Sequence, residues 1–387
     1  MNVARFTKVV FVLAIALLIA GLSSCDQIGQ LLVTTPSEMQ GGEIPIGVVL
    51  ALTGQFADEL GKPMQNGFEL ARAEINSSGQ IGDAKITFIT EDDQSVNAVE
   101  AFNKLIHEDG VSVITGLAVS TQAKDAFPIA QENRVVAFSP VSTAPGLSAI
   151  GDYIFRASLT VDELNSNGVK ITQEKLGYKR AATIYDETDL FSTNSNEAFL
   201  DALAENGVEV LTTQTIQTGD IDFSVQLTRI KETNPDAIFC TALPKEIPLI
   251  LTQGRDLGIP NSVPFIIPQL SQALVQGAGP AAEGAISLIA WSSIKPTPGN
   301  GAFVQNYRAA YGTEPNAWAA QSYAALYILA AAIADAQSTN STAIRDALAN
   351  TMNFDTILGQ FSFDAVGDAE YDPQILIFKN GEFKAFE

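Results

Sequence analysis

The sequence Ile44-Pro-Ile-Gly-Val-Val-Leu50 decides the fold, together with the segment that follows it. This short apolar run is rich in β-branched residues and predicts a buried strand. The next predicted element is a helix at Gly61–Asn76, whose apolar residues recur at nearly helical spacing: Met64, Phe68, Ala71 and Ile75. A buried strand followed by an amphipathic helix is the repeating unit of α/β folds with parallel sheets.

The same unit is repeated along the chain. Further strands are predicted at Lys85–Thr90, Val111–Thr115 and Val135–Phe138, and further helices at Val96–Glu108 and Thr121–Glu132. The pattern restarts with strands at Ala181–Tyr185, Val208–Leu211, Asp236–Thr241 and Val263–Ile267, and helices at Ser192–Asn206, Phe223–Thr233 and Lys245–Leu257. The alternation predicts parallel sheets with helices on both faces, and the restart indicates two similar lobes. A third region has Ala-rich helices and two late strands, at Ala302–Tyr311, Asn316–Ala336, Ser341–Asn350, Phe361–Phe363 and Ile375–Phe378.

The N-terminus has the layout of a secretory signal. Two basic residues, Arg5 and Lys8, precede the apolar run Val9–Ala20, which is shorter than the ~20 residues that a membrane-spanning helix needs. The run ends in Leu22-Ser-Ser-Cys25, which resembles the bacterial lipobox, where the signal is cleaved before a cysteine that carries lipid. We therefore expect residues 1–24 to be a signal peptide, Cys25 to be lipidated, and residues 25–42 to be a flexible tether. A plain signal peptide with an incidental cysteine is the alternative.

Composition limits the partners of the remaining chain. The sequence has 387 residues, with 22 Lys and Arg against 44 Asp and Glu, for a net charge of −22. Without the leader, about 360 residues remain, which suits two domains of ordinary size. The negative charge makes nucleic acid and anionic membrane surfaces poor partners. Because Cys25 is the expected lipid site, Cys240 has no disulfide partner, and its place in a predicted strand favours a core residue over a reactive thiol.

The sequence contains no recognisable catalytic motif. His107 is the only histidine, and its place in the last turn of a predicted helix is explained by a surface role. A nucleophile elbow, an HExxH zinc motif, a P-loop and a dinucleotide fingerprint are all missing. The cluster Glu91-Asp-Asp93 is compatible with weak Ca²⁺ binding, but a solvated loop or a polar contact between lobes is the simpler interpretation. We therefore expect a protein without a cofactor or metal, and not an enzyme.

Polar groups follow strands in both lobes. Two hydroxyl-rich loops, Gly116–Thr121 and Ser139–Pro145, follow consecutive strands of the first lobe, at the sheet edge where free backbone N–H groups bind anions. Ordinary N-capping is the alternative for either loop alone. Glu246 follows a strand of the second lobe, where an acid can meet an ammonium group, although a first-turn helix charge is its simpler interpretation. Together, these groups predict the binding of a zwitterion between the lobes.

Several segments, in this order, resemble the type I periplasmic-binding-protein family. The nearest branch is the substrate-binding lipoproteins of branched-chain amino acid ABC transporters. The segments are Ile46–Gly54, Asn66–Asn76, Glu91–Gln94, Ser120–Gln122, Phe138–Pro145, Phe155-Arg156, Asn234–Phe239 and Phe361–Gly367. The resemblance implies an α/β fold of two Rossmann-like lobes with parallel central sheets, joined by a three-strand hinge. It assigns residues 43–159 and 289–359 to lobe 1 and residues 160–288 and 360–387 to lobe 2, with crossings near Leu159, Leu288 and Gly359.

The resemblance also implies which residues contact the ligand. The positions that match the carboxylate-binding loops are Ser120, with Thr121 beside it, and Thr143, next to Ser142. The backbone of Val141 matches a carbonyl contact to the amino group, and Glu246 matches the acid that meets the ammonium. Asp162 is a weaker match to an acid near the first crossing.

Two positions depart from the family pattern. Leu60 and Phe191 stand where the family commonly has tyrosine, so each loses a hydroxyl and keeps apolar surface. This predicts an apolar pocket for the ligand's side chain, although Asp58 and Glu59 are compatible with a cationic group instead. The two tryptophans, Trp291 and Trp318, are expected in the core, with the cleft as the alternative.

The resemblance implies an extracytoplasmic, lipid-anchored substrate-binding protein of an ABC importer. We expect a monomer that captures a small amino acid, branched-chain or otherwise apolar, and delivers it to the permease subunits. Its membrane contact is expected through the Cys25 lipid, and no nucleic-acid partner is expected. The alternative is a receptor of the same fold for an amide, a urea or an aromatic acid, serving a sensor or a different transporter.

Overall fold

Two large sheets organise the part of the chain that the computed structural model describes, residues 42–387. The predicted signal peptide, the lipid site at Cys25 and the tether up to residue 41 lie outside the described residues. The α/β class that the sequence predicts is confirmed, with strands and helices alternating along the chain.

The first sheet has five strands, all parallel. These are β1 (Glu43–Leu50), β2 (Lys85–Asp92), β3 (Val113–Gly116), β4 (Val136–Ser139) and β5 (Ile154–Arg156), in the spatial order β2-β1-β3-β4-β5. The first four were predicted to within two residues, whereas β5 is three residues long and too short to show a period. Helices α1 (Lys62–Ser78), α2 (Ala98–His107) and α3 (Ser120–Glu132) connect the strands.

The second sheet has seven strands. In chain order they are β6 (Arg180–Asp186), β7 (Glu209–Ile216), β8 (Ala237–Thr241), β9 (Phe265–Pro268), β10 (Ile286–Ile289), β14 (Gln374–Lys379) and β15 (Glu382–Ala385). The spatial order is β15-β14-β10-β9-β8-β6-β7. Its helices are α4 (Val161–Leu176), α5 (Leu190–Glu205), α6 (Ser224–Glu232), α7 (Glu246–Asp256) and α8 (Gln272–Ala278).

The prediction of a parallel sheet is wrong at one end of this second sheet. Strand β14 pairs antiparallel with β10 and with β15. A tight hairpin at Asn380-Gly381, where both residues have positive φ, of 55° and 84°, reverses the chain between β14 and β15. The pairing of β14 with β10 joins strands that are far apart in the chain. An Asn-Gly pair with left-handed backbone is the preferred two-residue connection between antiparallel strands, so the C-terminus folds back on itself.

Three late helices lie on the side of the first sheet. They are α9 (Asn300–Tyr311), α10 (Ala317–Ala336) and α11 (Ser341–Ala349), and α10 lies along α1. Helix α10 is long and apolar enough to span a membrane. However, 78% of its most apolar 18-residue segment is buried within the protein, so it is a core helix. We call the first sheet with α1–α3 and α9–α11 the first lobe, and the second sheet with α4–α8 the second lobe.

A third, small sheet lies where the chain returns from the first lobe to the second. Its strands are β11 (Phe354–Thr356), β12 (Gly359–Phe363) and β13 (Ala369–Glu370). The late strand β12, which was expected with the second lobe, therefore does not join the second sheet. Its Phe363 ring instead packs edge-on against Phe138 and Phe155 of the first lobe, at 5.7 and 5.1 Å between ring centroids.

Both faces of each sheet are covered. Adjacent residues of one strand belong to different apolar clusters, as Val48 and Val49 do in β1 and Ile238 and Phe239 do in β8. Successive side chains of a strand point to opposite faces, so these clusters are the layers between the sheet and its helices. The covered faces leave the carboxyl ends of the strands as the open edge of each sheet.

Candidate ligand-binding site

A cavity of about 570 Å³, partly open to solvent, lies between the carboxyl ends of the two sheets. Five residues predicted to contact a ligand line it: Leu60, Ser120, Val141, Thr143 and Phe191. Four other predicted residues do not line it: Thr121, Ser142, Asp162 and Glu246. The structure thus brings together residues that are more than 120 positions apart in the sequence, from both lobes.

On the first lobe, Ser120 offers a hydrogen-bond donor to the cavity. Its Oγ accepts hydrogen bonds from the backbone N–H groups of Thr143 at 3.3 Å and Ala144 at 3.2 Å. Because the oxygen already accepts two hydrogen bonds, the hydroxyl proton is left to donate elsewhere. N-capping, the simpler interpretation of this loop, does not apply, since Ser120 is the first residue of α3 and its N-cap, Val119, has no capping side chain.

The uncapped start of α3 adds to this donor. Helix α3 is 13 residues long, and the N–H groups of its first turn have no partner within the helix. Together with the helix dipole, they favour an anion at the cavity wall beside Ser120. This side of the cavity is therefore suited to a carboxylate.

The second hydroxyl-rich loop, Ser139–Pro145, is fixed by hydrogen bonds on the side that faces away from the cavity. Ser142 is buried, and its Oγ donates to the Leu117 and Ala118 carbonyls, both at 3.1 Å, so it joins the two loops and does not face the cavity. The carbonyls on either side of Thr143 accept hydrogen bonds from Arg156 Nη1. Arg156 is in turn paired through two hydrogen bonds with Asp368, at 2.5 and 2.9 Å. These bonds fix the backbone that presents Thr143.

On the second lobe, the groups near the cavity are acids. Asp189 lines the cavity and is only 4% exposed. Glu246 is 2% exposed and lies between the cavity-lining residues Pro244 and Ile247 in sequence. Its Oε1 accepts the Gly219 N–H at 2.8 Å, while its Oε2 has no hydrogen-bond partner among the residues described.

These acids are unfavourably placed in the absence of a cation. Burial, followed by repulsion from Asp186, raises the pKa of Glu246 above its ordinary value. Burial also raises the pKa of Asp189, and Asp186 adds to this effect. No Lys or Arg lies among the residues that line the cavity in the described part of the chain. An ammonium group from outside would relieve both acids.

Hydrogen bonds join the two lobes at the edge of the cavity. Thr121 Oγ1 donates to Asp189 Oδ2 and accepts the Leu190 N–H, each at 3.2 Å. At another point, Ser271 Oγ donates to Glu59 Oε1 at 2.9 Å. Thr121 therefore bonds to the opposite lobe. The lobes are in contact around the cavity.

Most of the remaining cavity wall is apolar. Besides Leu60 and Phe191, it includes Leu243, Ile247, Pro268, Leu274 and Trp318. Next to Leu60, Gly61 packs directly against the Ala51 backbone, where a Cβ would overlap the carbonyl oxygen. Leu60 and Phe191, which stand where the family commonly has tyrosine, therefore belong to an apolar part of the cavity wall.

The two tryptophans have different places. Trp318, at the start of α10, lines the cavity, as in the alternative considered above. Trp291 is buried, and its indole N–H donates to Asn300 Oδ1 at 2.7 Å. Its ring packs edge-on against Phe303, so it is a core residue.

Two polar cavity residues were missed by the sequence analysis, Asp189 and Gln269. Asp189 is the N-cap of α5 and directly follows the loop after β6, so the same signal that pointed to Ser120 was available. Gln269 follows β9 and has a left-handed backbone, with φ of 58°. No sequence pattern distinguishes it from an ordinary loop residue.

Other residues discussed above lie away from the cavity. Asp162 is exposed in the first turn of α4, and His107 is an exposed residue at the end of α2. Within residues 42–387, no group of three or more possible ligands for a metal ion is found. Asp92, in the acidic cluster, accepts the Leu52, Thr53 and Gln94 N–H groups and so shapes a loop. Cys240 is fully buried, and burial raises the pKa of its thiol to about 12.

A family model described as "Periplasmic binding protein" matches residues 43–372 of the chain. The chain belongs to this family. It is therefore a binding protein that works outside the cytoplasm, and not an enzyme.

Named relatives of this periplasmic binding protein cover nearly its whole length. The Leu/Ile/Val-binding protein homolog 2 of Brucella abortus is 28% identical over 346 residues, which span 88% of this chain and 91% of that protein. A leucine binding protein from Thermotoga maritima has a TM-score of 0.83 at 28% identity, covering 89% of this chain and 98% of the other. A branched-chain amino acid transporter substrate binding protein from Streptococcus pneumoniae, solved with isoleucine, gives a TM-score of 0.83 at 27% identity, with the same coverage.

Proposed function

We propose that this protein captures a small amino acid with a branched-chain or other apolar side chain and delivers it to the permease of an ABC importer. The observation that carries the proposal is the opposite polarity of the two cavity walls. The first lobe offers the Ser120 hydroxyl and the free N–H groups at the start of α3, whereas the second lobe offers Asp189 with Glu246 close by. A zwitterion satisfies both walls at once.

The chemistry of each wall assigns the contacts. We assign the ligand carboxylate to Ser120 and Thr143, and the ammonium to Glu246, Asp189 and the Val141 carbonyl. The apolar residues Leu60 and Phe191, with their neighbours in the wall, surround the side chain. The names of the relatives support this assignment, because they are described as binding leucine, isoleucine and valine.

We also propose how the lobes move. The chain connects them near Leu159, Leu288 and Gly359, and the hydrogen bonds from Thr121 and Ser271 form only when the lobes approach. A ligand that contacts both walls then favours the closed form by its difference in affinity for the two forms. A permease is able to distinguish the closed form because the outer faces of the two lobes take a fixed relative position.

The N-terminal features complete the proposal. We propose that Cys25 carries lipid and keeps the protein at the membrane, with residues 25–42 as its tether, and that the protein acts as a monomer. Incorporation of labelled fatty acid into the full chain, and its loss in Cys25→Ala, tests the anchor independently of the ligand.

Ligand analogues test the function directly. Mass spectrometry of the ligand retained through purification, followed by calorimetry, identifies the natural ligand. We expect L-leucine, L-isoleucine or L-valine to bind, and two analogues of leucine to bind at least about tenfold more weakly, since each loses one charged contact. These are 4-methylpentanoate, which lacks the ammonium, and 3-methylbutylamine, which lacks the carboxylate.

The two analogues also separate this function from its alternative. An aromatic-acid receptor would bind benzoate and would tolerate the loss of the ammonium. Tight binding of benzoate or of 4-methylpentanoate, with no binding of amino acids, would therefore reject the proposal.

A further inference from the structure

Gln269 is a polar residue in an otherwise apolar part of the cavity wall. It is 9% exposed, and its neighbours in the wall include Pro268, Leu274 and Trp318. Its Oε1 is buried and has no hydrogen-bond partner among the residues that the structure describes. A buried amide oxygen without a partner is destabilising, so its presence in a cavity points to a hydrogen-bond donor that arrives with the ligand.

The backbone at Gln269 gives independent support. Its φ of 58° is in the left-handed region, which a residue other than glycine adopts at a free-energy cost. The conformation is held on both sides. The Gln269 N–H donates to the Leu288 carbonyl at 2.8 Å, and the Leu270 carbonyl accepts the Ser287 hydroxyl at 3.0 Å. The loop therefore fixes this side chain in the wall, against the backbone preference of the residue.

Strand order separates Gln269 from Asp189, one of the two acids assigned to the ammonium. Asp189 follows β6 and Gln269 follows β9, with β8 between these two strands. Neighbouring strands are about 4.8 Å apart, so the two positions start about 10 Å from each other along the sheet edge. Gln269 is thus placed beside the apolar wall that surrounds the ligand's side chain.

We propose that Gln269 is a specificity-determining residue, whose amide recognises a hydroxyl or amide group on the side chain of the bound amino acid. The inference rests on the proposed capture of a small amino acid and refines its side chain, which is then mostly apolar but carries one hydroxyl or amide group that meets Gln269. A ligand without such a group leaves the buried amide unpaired, and a site built to form a hydrogen bond discriminates against that ligand.

Pairs of amino acids with nearly the same shape test the inference by calorimetry on the full chain. The pairs are L-threonine with L-valine and L-asparagine with L-leucine. In the Gln269→Leu variant, the ratio of the two Kd values should shift toward the apolar member of at least one pair by about tenfold, the order expected when a buried polar group loses its partner. Gln276→Leu, an exposed change outside this cavity, should leave both ratios unchanged.

A second variant guards against misfolding. Gln269→Gly accepts the left-handed backbone without strain and also removes the amide, so it should shift the ratio in the same direction. Unchanged ratios in both variants would overturn the inference and leave the proposed function intact. Equal weakening of all four ligands would also overturn it, because the amide would then contact the common head group. If the wild-type protein binds no amino acid, the inference and the proposed function both fail.

Discussion

Replacing Glu246 by glutamine separates the charge of this residue from its shape. The carboxylate is 2% exposed, its Oε1 accepts the Gly219 N–H at 2.8 Å, and its Oε2 has no partner among the described residues. Glutamine retains an oxygen for the Gly219 N–H and occupies nearly the same volume, but it carries no charge. The variant therefore tests whether the charge serves the ligand.

The Glu246→Gln variant should bind the ligand more weakly but be more stable than the wild type when no ligand is bound. A hydrogen bond between an ammonium and a buried carboxylate contributes about 1.5–3 kcal/mol, so the Kd of the amino acid should rise by about 10- to 150-fold in Glu246→Gln. Without ligand, the charge is buried near Asp186, and burial raises the pKa of Glu246. Removing that charge should therefore increase the free energy of unfolding of the ligand-free protein.

The pH dependence follows from the direction of the pKa shift. The folded pKa of Glu246 lies above the ordinary value of 4.5, so the folded state holds its proton more tightly than the unfolded state does. The resulting stability is present in full below about pH 4.5 and is lost as the pH rises through the folded pKa. The ligand-free wild type should gain stability from Glu246 when the pH falls from neutral toward 4.5, and Glu246→Gln should lack this contribution.

Calorimetry at pH 7 and urea unfolding with and without ligand measure both effects. The control is Glu100→Gln, which removes an exposed acid from the first turn of α2. A first-turn charge that only interacts with the helix dipole stabilises by about 0.3–1 kcal/mol, so its removal lowers stability and leaves the affinity unchanged. If Glu246→Gln behaves like this control, Glu246 is a helix charge and the assignment of the ammonium is refuted.

Three further predictions concern the lobes and the core. Thr121→Val removes the hydroxyl that bonds to Asp189 across the cavity edge, so calorimetry should show about fivefold weaker ligand binding, and an unchanged Kd would exclude a role in closure. Arg156→Met leaves Asp368 without its partner, so urea unfolding should show that the free energy of unfolding falls by about 3–5 kcal/mol. A decrease below about 1 kcal/mol would mean that the ion pair does not stabilise the fold. Cys240 is buried, with a thiol pKa raised to about 12, so a thiol reagent at pH 8 should modify it only after the protein unfolds; rapid labelling of the native protein would contradict this.

Much of the fold could be predicted from the sequence because it depends on local periodicity. The run Ile44–Leu50 and the helix after it show their periods clearly, and the structure has both elements within a few residues of the predicted bounds. Short elements lack such a period. Strand β5 has three residues. The hairpin at Asn380-Gly381 is a turn signal that the sequence contains, but the antiparallel pairing of β14 with β10 joins strands that are distant in the chain.

The hydroxyl-bearing part of the site could be predicted because it lies in loops that directly follow predicted strands. The two hydroxyl-rich loops were predicted because hydroxyls beside free N–H groups favour anions, the family resemblance singled out Ser120 and Thr143 within them, and both residues line the cavity. Ser142 shows the limit of this rule, since its hydroxyl is one residue from Thr143 yet bonds to carbonyl groups behind the loop. Which way a hydroxyl points depends on the neighbouring loop, and sequence spacing does not contain that information.

The sequence by itself determined the alternation of strands and helices and the polar character of the strand ends, because each depends on residues close together in the chain. Only the tertiary structure decided that Asp189 and Gln269 face the same cavity as Ser120, and that Thr121 bonds to the opposite lobe. These relations join residues from different lobes, and they are fixed by how the two sheets meet. The physical reason is that packing between lobes follows the shape and charge of whole surfaces, which no local pattern of residues records.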